Sequence, residues 1–272
     1  MNTVPIQSYS SKHYGRKGPS FGKRRRGRPG FSGSLLKLIG VISMLLDHIG
    51  VAVIEMGILK SSDPQMMQQI LATDAGQTWW YIDRVLRYAG RLAFPIFAFF
   101  LAEGFCQTRH RRDYGLRLLI FALLSEIPFD LAMFGTWLHP DYQNILVTLL
   151  IAYVTLCGVQ RFSRKLWAQL LWIAAGCGAA YLLRSDYGGI GVMMVVLLYW
   201  FRGTGLQIPV GAAAAALESA ETWCFSALAF VPLACYNGER GRWPGKYFFY
   251  VFYPAHLLVL WGIRVILMNF CL

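Results

Sequence analysis

From Leu35 to about Met56 the chain is apolar over a length that lets one helix cross a bilayer, and in the middle of that run Asp47 and His48 stand side by side. Comparable runs recur along most of the chain, which is 56% hydrophobic and only 15% charged. Together they predict an all-α, polytopic transmembrane helix bundle. Read in order, the spans are about 35–56, 79–105, 116–134, 144–160, 166–183, 190–201, 206–217, 222–236 and 247–269. The runs 206–217 and 222–236 read equally as two short spans or one re-entrant pair, so about nine passes are expected, with eight or ten also compatible. Cations concentrate in alternate connections, which puts the N-terminus in the cytoplasm and the C-terminus outside.

Residues 1–34 carry eight Lys or Arg and no acid, which reads as a basic, disordered cytoplasmic tail. Its KRRRGR stretch is a weaker match to a nucleic-acid patch, and no nucleic-acid partner is expected. The remainder, 35–272, reads as one membrane domain in contact with lipid. The six cysteines form no CxxC pair and lie mostly in apolar runs, so they are expected to be small buried hydrophobes, with no metal site.

Drawing the spans leaves a set of polar residues inside them: Asp47, His48, Arg91, Glu103, Glu126, Asp130, Asn144 and His256. Such groups are costly in lipid and mark functional sites more often than they mark helix packing. His48 and His256 have the chemistry for proton transfer near neutral pH. Adjacent helical residues point ~100° apart, so Asp47 does not pair with His48. It is expected to turn to a cation on the second span, Arg91, and so fix the helix that presents His48. Lys37 lies eleven positions before His48, ~16 Å away on nearly the same face. In the last span Lys246, Tyr250 and Tyr253 follow at i, i+4 and i+7, with His256 on the neighbouring flank, as in the wall of a polar tunnel. Pro95 is expected to kink the second span and Pro254 to open the last one. There is no Walker loop, dinucleotide fingerprint, HExxH or GxSxG. A proton-coupled transporter would use the same buried groups, but no internal repeat is visible.

Four stretches, LKLIGVISMLLDHIG, GRLAFPIFAFFLAEGF, LRLLIFALLSEIPFDL and KYFFYVFYPAHLLVL, occur in the order in which the TraX family carries similar sequences, over about residues 35–270. That family takes its name from the enzyme that acetylates the N-terminus of conjugative pilin. It resembles in turn the integral membrane acyltransferases that modify glycans, whose first span carries a basic residue, ten positions and a His. Lys37 and His48 match this spacing, with Lys where the superfamily has Arg.

The resemblance implies an acyltransferase of the bacterial cell membrane. It would move an acetyl group from acetyl-CoA to an amine or hydroxyl of an extracytoplasmic acceptor, a pilin-like peptide or a glycan. His48 would be the general base, with Asp47, Arg91 and His256 completing the catalytic set. Lys37, Glu103, Glu126, Asn144, Lys246, Tyr250 and Tyr253 would line the path of acyl-CoA. Arg91, Tyr253 or His256 would supply the donor to the tetrahedral oxyanion. A non-catalytic assembly factor, in which neither His matters, is the remaining class.

Overall fold

The computed structural model describes residues 29–241 and 245–270. The basic tail before residue 29 therefore lies outside the described residues, as do the side chain of Lys246 and Cys271. Among the described residues every regular element is helical; the only β pairings are the isolated bridges Phe31–Tyr236 and Gln143–Ser185.

The first helix, α1, runs Gly33–Ile49 and continues as a π-helical stretch, Gly50–Ile58. It starts two residues before the apolar run because Ser32 caps it, accepting the Leu35 N–H. The short α2 (Pro64–Leu71) starts on an Asp63 cap with Pro at its first position. Then α3 (Asp74–Gly90) and α4 (Ala93–Gln107) form one long rod interrupted at Arg91–Leu92. This break is the bend expected of Pro95, displaced by one turn. Pro95 has no N–H, so the helical bond it cannot make is the one to the carbonyl of Arg91.

The chain goes on through α5 (Arg111–Phe134), α6 (Ile145–Arg161), α7 (Leu166–Leu182), α8 (Gly188–Trp200) and α9 (Gln207–Glu218). Two 3₁₀ turns, Ala220–Thr222 and Phe225–Ala229, lead into the short α10 (Phe230–Ala234), which packs back on α9. The last helix, α11, spans Lys246–Phe270.

The helices Gly33–Ile58, Asp74–Gln107 and Tyr247–Asn269 are each long and apolar enough to cross a membrane; α6, α7, α8 and the 225–234 segment are apolar but shorter. At the centre is α4, apolar all round, with Phe94, Ile96, Phe99, Leu101 and Phe105 buried against α1, α6 and α8. The outside is also apolar: Leu123, Trp167, Leu182 and Val259 are all more than 60% exposed. Water would not tolerate so continuous an apolar surface, whereas lipid tails would. Cys157, Cys224 and Cys235 belong to the exposed surface, which corrects the expectation that the cysteines are buried.

Cross-chain contacts sort the helix ends into two groups. At the Gly33 end the Gly33 N–H donates to Glu239 O, and Arg202 holds Glu103. At the opposite end buried Arg264 of α11 donates to the last carbonyls of α5, Leu131 O at 2.6 Å and Ala132 O at 3.0 Å. Among the described residues that cation has no carboxylate partner; it satisfies orphan carbonyls at the negative end of a helix dipole.

Candidate active site

Three helices meet at the middle of α1. On one side the row Ser43, Asp47 and Gly50 packs on the end of α3. Ser43 donates to Ala89 O and Gly90 O, at 2.5 and 3.1 Å. Asp47 accepts from Arg87 Nη1 at 2.7 Å. Gly50 lies against Asp83 and Arg87 so tightly that a Cβ there would fall 2.9 Å from Asp83 Oδ1. Two glycines therefore make this seam, Gly50 at the start of the π-helical stretch and Gly90 on α3.

The other side of α1 faces α11. His48 Nδ1 is 2.6 Å from His256 Nε2, with the two imidazoles stacked 12° from parallel. His256 Nδ1 is 2.7 Å from Phe252 O. With both rings neutral these two distances set the tautomers, because a carbonyl can only accept. His256 donates through Nδ1, its Nε2 accepts from His48 Nδ1–H, and the lone pair of the dyad is left on His48 Nε2. Tyr253 completes the group: its ring lies edge-on to His48 at 6.0 Å and 5.8 Å from His256.

The structure thus joins His48, His256 and Tyr253, and seats Asp47 beside them. Asp47 pairs with Arg87, not with Arg91 as the sequence suggested. Helix α3 ends at Gly90, so Arg91 falls in the bend and is carried away toward α8 and α9, 3.9 Å from Glu218 Oε1. The α3 stripe was visible in the spacing of Arg84, Arg87 and Arg91; what it lacked was the position of the break. Arg84 reaches Glu55 and Asp83 in the same seam.

Lys37 faces α11 as His48 does, but through aromatic rings, 4.9 Å from the centroid of Phe100 and 5.6 Å from that of Phe249. Tyr250 stacks on Phe121, one turn from Tyr253. Glu103 is not brought to the dyad; it is held bidentate by Arg202 and by Gln107. Asn144 is the N-cap of α6, accepting from Leu146 N and donating to Ala122 O and to Glu126. Asp130 accepts the His139 N–H at 2.7 Å. Glu126, Asp130 and Asn144 therefore brace the 135–144 connection against α5.

Sequence reasoning missed a polar cavity of about 230 Å³ lined by Arg91, Tyr142, Asp186, Tyr187, Glu218, Ser219, Glu221 and Thr222. Its residues come from two turns and a helix break, each unremarkable alone. Backbone conformation was the available signal in part: Tyr187 adopts φ +62° where α8 begins, the region Gly ordinarily fills, and its ring stacks on Phe94 at 3.9 Å. Asp186, in the turn, is pushed up to about 6 by burial, which outweighs the hydrogen bond from Tyr142. Among the described residues no cluster of three or more His, Cys, Asp or Glu could hold a metal ion.

The TraX protein family model matches residues 32–264. The chain is also similar to the probable fimbrial assembly protein FimC, serogroup H1, of Dichelobacter nodosus. The two are 28% identical over 263 residues, covering 87% of this chain and 97% of the relative. No solved structure matches the chain. The four signature stretches, the helical bundle and a family match over most of the length agree, and this chain belongs to the TraX family.

Proposed function

We propose that the protein is a multi-pass acyltransferase of the bacterial plasma membrane. It moves an acetyl group from acetyl-CoA to an amine or hydroxyl of an extracytoplasmic acceptor, with His48 as general base. The observation that carries this reading is the pair of short contacts at His48 Nδ1–His256 Nε2 and His256 Nδ1–Phe252 O, 2.6 and 2.7 Å. They present one basic nitrogen, His48 Nε2, in the interior of a membrane protein. They also end on a backbone carbonyl, which cannot take a proton onward. The dyad accordingly stores one proton and returns it, as acyl transfer requires when the thiolate leaves. A transporter relay would need an exit instead, so the contacts favour the transferase.

In the proposed topology Gly33 lies on the cytoplasmic side. Lys37, Arg109, Arg111 and Arg112 then lie on the side of the compartment that holds acetyl-CoA, a polyanion. The thioester arm follows the seam between α1 and α11, and the acceptor enters from the opposite end. The name of the Dichelobacter relative, a fimbrial assembly protein, supports a pilin-like acceptor.

The test uses the purified full chain in nanodiscs with acetyl-CoA and a peptide bearing a free N-terminal amine, or a glycan. Wild type should release CoA and acetylate the acceptor. His48→Ala should lose ~10²–10⁴-fold in kcat while keeping its melting temperature. Full activity in His48→Ala would refute the assignment. Proton flux in proteoliposomes, without transfer or stabilisation by acetyl-CoA, would favour transport.

A further inference from the structure

We propose that the Tyr253 phenol is the oxyanion donor of this site, its O–H hydrogen-bonding the carbonyl oxygen of the acyl donor as the tetrahedral intermediate forms. The inference rests on the acyltransferase reading and narrows three candidate donors to one. Arg91 is committed elsewhere: it stands in the α3–α4 bend, lines the 230 Å³ cavity and faces Glu218. His256 has both nitrogens in use, Nδ1 on Phe252 O and Nε2 toward His48. Tyr253 is different. Its side chain is 3% exposed, and its hydroxyl has no well-formed hydrogen bond among the described residues.

A buried hydroxyl whose hydrogen has no acceptor is costly, so a fold that retains one is under some pressure to lose it. The surroundings say what this one is set up to do. The Ile145 N–H, first in the 17-residue helix α6, is directed at the phenol oxygen. That N–H belongs to the orphan donors of a helix N-terminus, where the dipole is positive. With that N–H on the oxygen's side, the phenol hydrogen is left to donate. The ring lies edge-on to His48 at 6.0 Å, so donor and base share one wall between α1 and α11.

The step then balances. The acceptor nitrogen or oxygen attacks the thioester carbon and gives its proton to His48 Nε2. The carbonyl π pair moves onto oxygen, where the Tyr253 O–H meets it. Collapse restores the C=O, breaks the C–S bond, and His48 returns the proton to the CoA thiolate. Tyr253 keeps its own proton throughout.

Tyr253→Phe removes one oxygen and keeps the ring. In nanodiscs, kcat should fall ~10²–10³-fold, the usual loss for one oxyanion donor, with KM for acetyl-CoA within threefold of wild type. The melting temperature should shift little, because the change takes an acceptor from the Ile145 N–H but also removes a phenol hydrogen that has no acceptor. A structural hydroxyl would give the reverse, a lower melting temperature and nearly normal kcat. Transfer by Tyr253→Phe within threefold of wild-type kcat overturns the proposal while leaving His48 as base. Absence of transfer by wild type itself, with every acceptor, overturns the acyltransferase reading and this inference with it.

Discussion

Gly90→Ala is the sharpest perturbation of the seam that presents His48. A methyl at Gly90 would fall 2.3 Å from Asp47 Cβ, 2.5 Å from Oδ1 and 2.7 Å from Cγ. Carbon atoms in contact sit ~3.5–4.0 Å apart, so the new atom needs more than ~1 Å of additional room. Two of its neighbours are near the backbone of α1, so a rotamer change of Asp47 does not clear it. Either α3 backs away from α1, stretching the Ser43 bonds to Ala89 O and Gly90 O, or Asp47 leaves Arg87. Overpacking of this kind costs ~1–3 kcal/mol. The better helix propensity of Ala offsets at most ~1 kcal/mol, and less at the last residue of a helix. Gly262→Ala in α11 is the control, because nothing lies within 4 Å of a Cβ built there. Unfolding titrations in mild detergent should show Gly90→Ala destabilised by ~1–3 kcal/mol and Gly262→Ala level or slightly stabilised. Transfer activity should fall with Gly90→Ala, since His48 follows Asp47 in sequence. Equal midpoints for the two variants would refute the close approach of α1 and α3 and the positioning argument built on it.

The pairing of Asp47 gives a second check. Arg87→Met leaves that carboxylate beside Asp83 and Glu55 without its 2.7 Å cation and should cost ~1–3 kcal/mol. Adding Asp47→Asn should recover part of the loss in the same unfolding assay, and a double variant weaker than the single one would contradict the pair. Asp186 sets a pH dependence. Its folded-state pKa is raised from 3.8 to about 6, so the folded state disfavours the charged form, and stability falls as pH climbs from about 4 to about 6 and then levels. Asp186→Asn keeps an acceptor for the Tyr142 hydroxyl. It should raise the melting temperature at pH 7.5 and give no gain at pH 4; a loss confined to pH 7.5 would mean that the charged form is the favoured one.

What the sequence made legible follows from what hydropathy encodes. Apolar runs gave most of the long helices to within about five residues, because hydropathy is a property of each segment alone, but not α2, nor the division of 222–236 into 3₁₀ turns and the short α10. The same logic found His48 and His256, but not that they touch, since first and last spans become neighbours only through packing. Asn144 looked like a buried polar site because it opens an apolar run; the structure gives it the N-cap of α6, a role the following Ile-Leu-Val run was compatible with. Glu103 is explained by Arg202, 99 residues away, a partner no local pattern announces. The shift from Arg91 to Arg87 was within reach of the chain rules: proline disturbs the turn before it, and Pro95 acts at Arg91. The Asp186–Tyr142 contact joins two turns of ordinary composition and had no signal of its own.

The unequal lengths of the helices explain how an extracytoplasmic acceptor reaches the dyad in the proposed topology. Helices α8 and α9 have 13 and 12 residues, ~20 and ~18 Å, against ~30 Å of hydrocarbon. They cannot carry their Ile58-side ends to the membrane surface. Those ends, Tyr187 and Glu218, instead lie beside Arg91, the residue next to the Gly90–Asp47 contact about halfway along the Gly33–Ile58 helix. The polar cavity is therefore sunk to the depth of His48, with no long channel needed. Lys37 marks the approach from the other end, ~16 Å below His48 along α1. In the proposed topology the cavity and the Lys37 end lie on opposite sides of His48, as suits a reaction whose donor and acceptor start on opposite sides of a membrane.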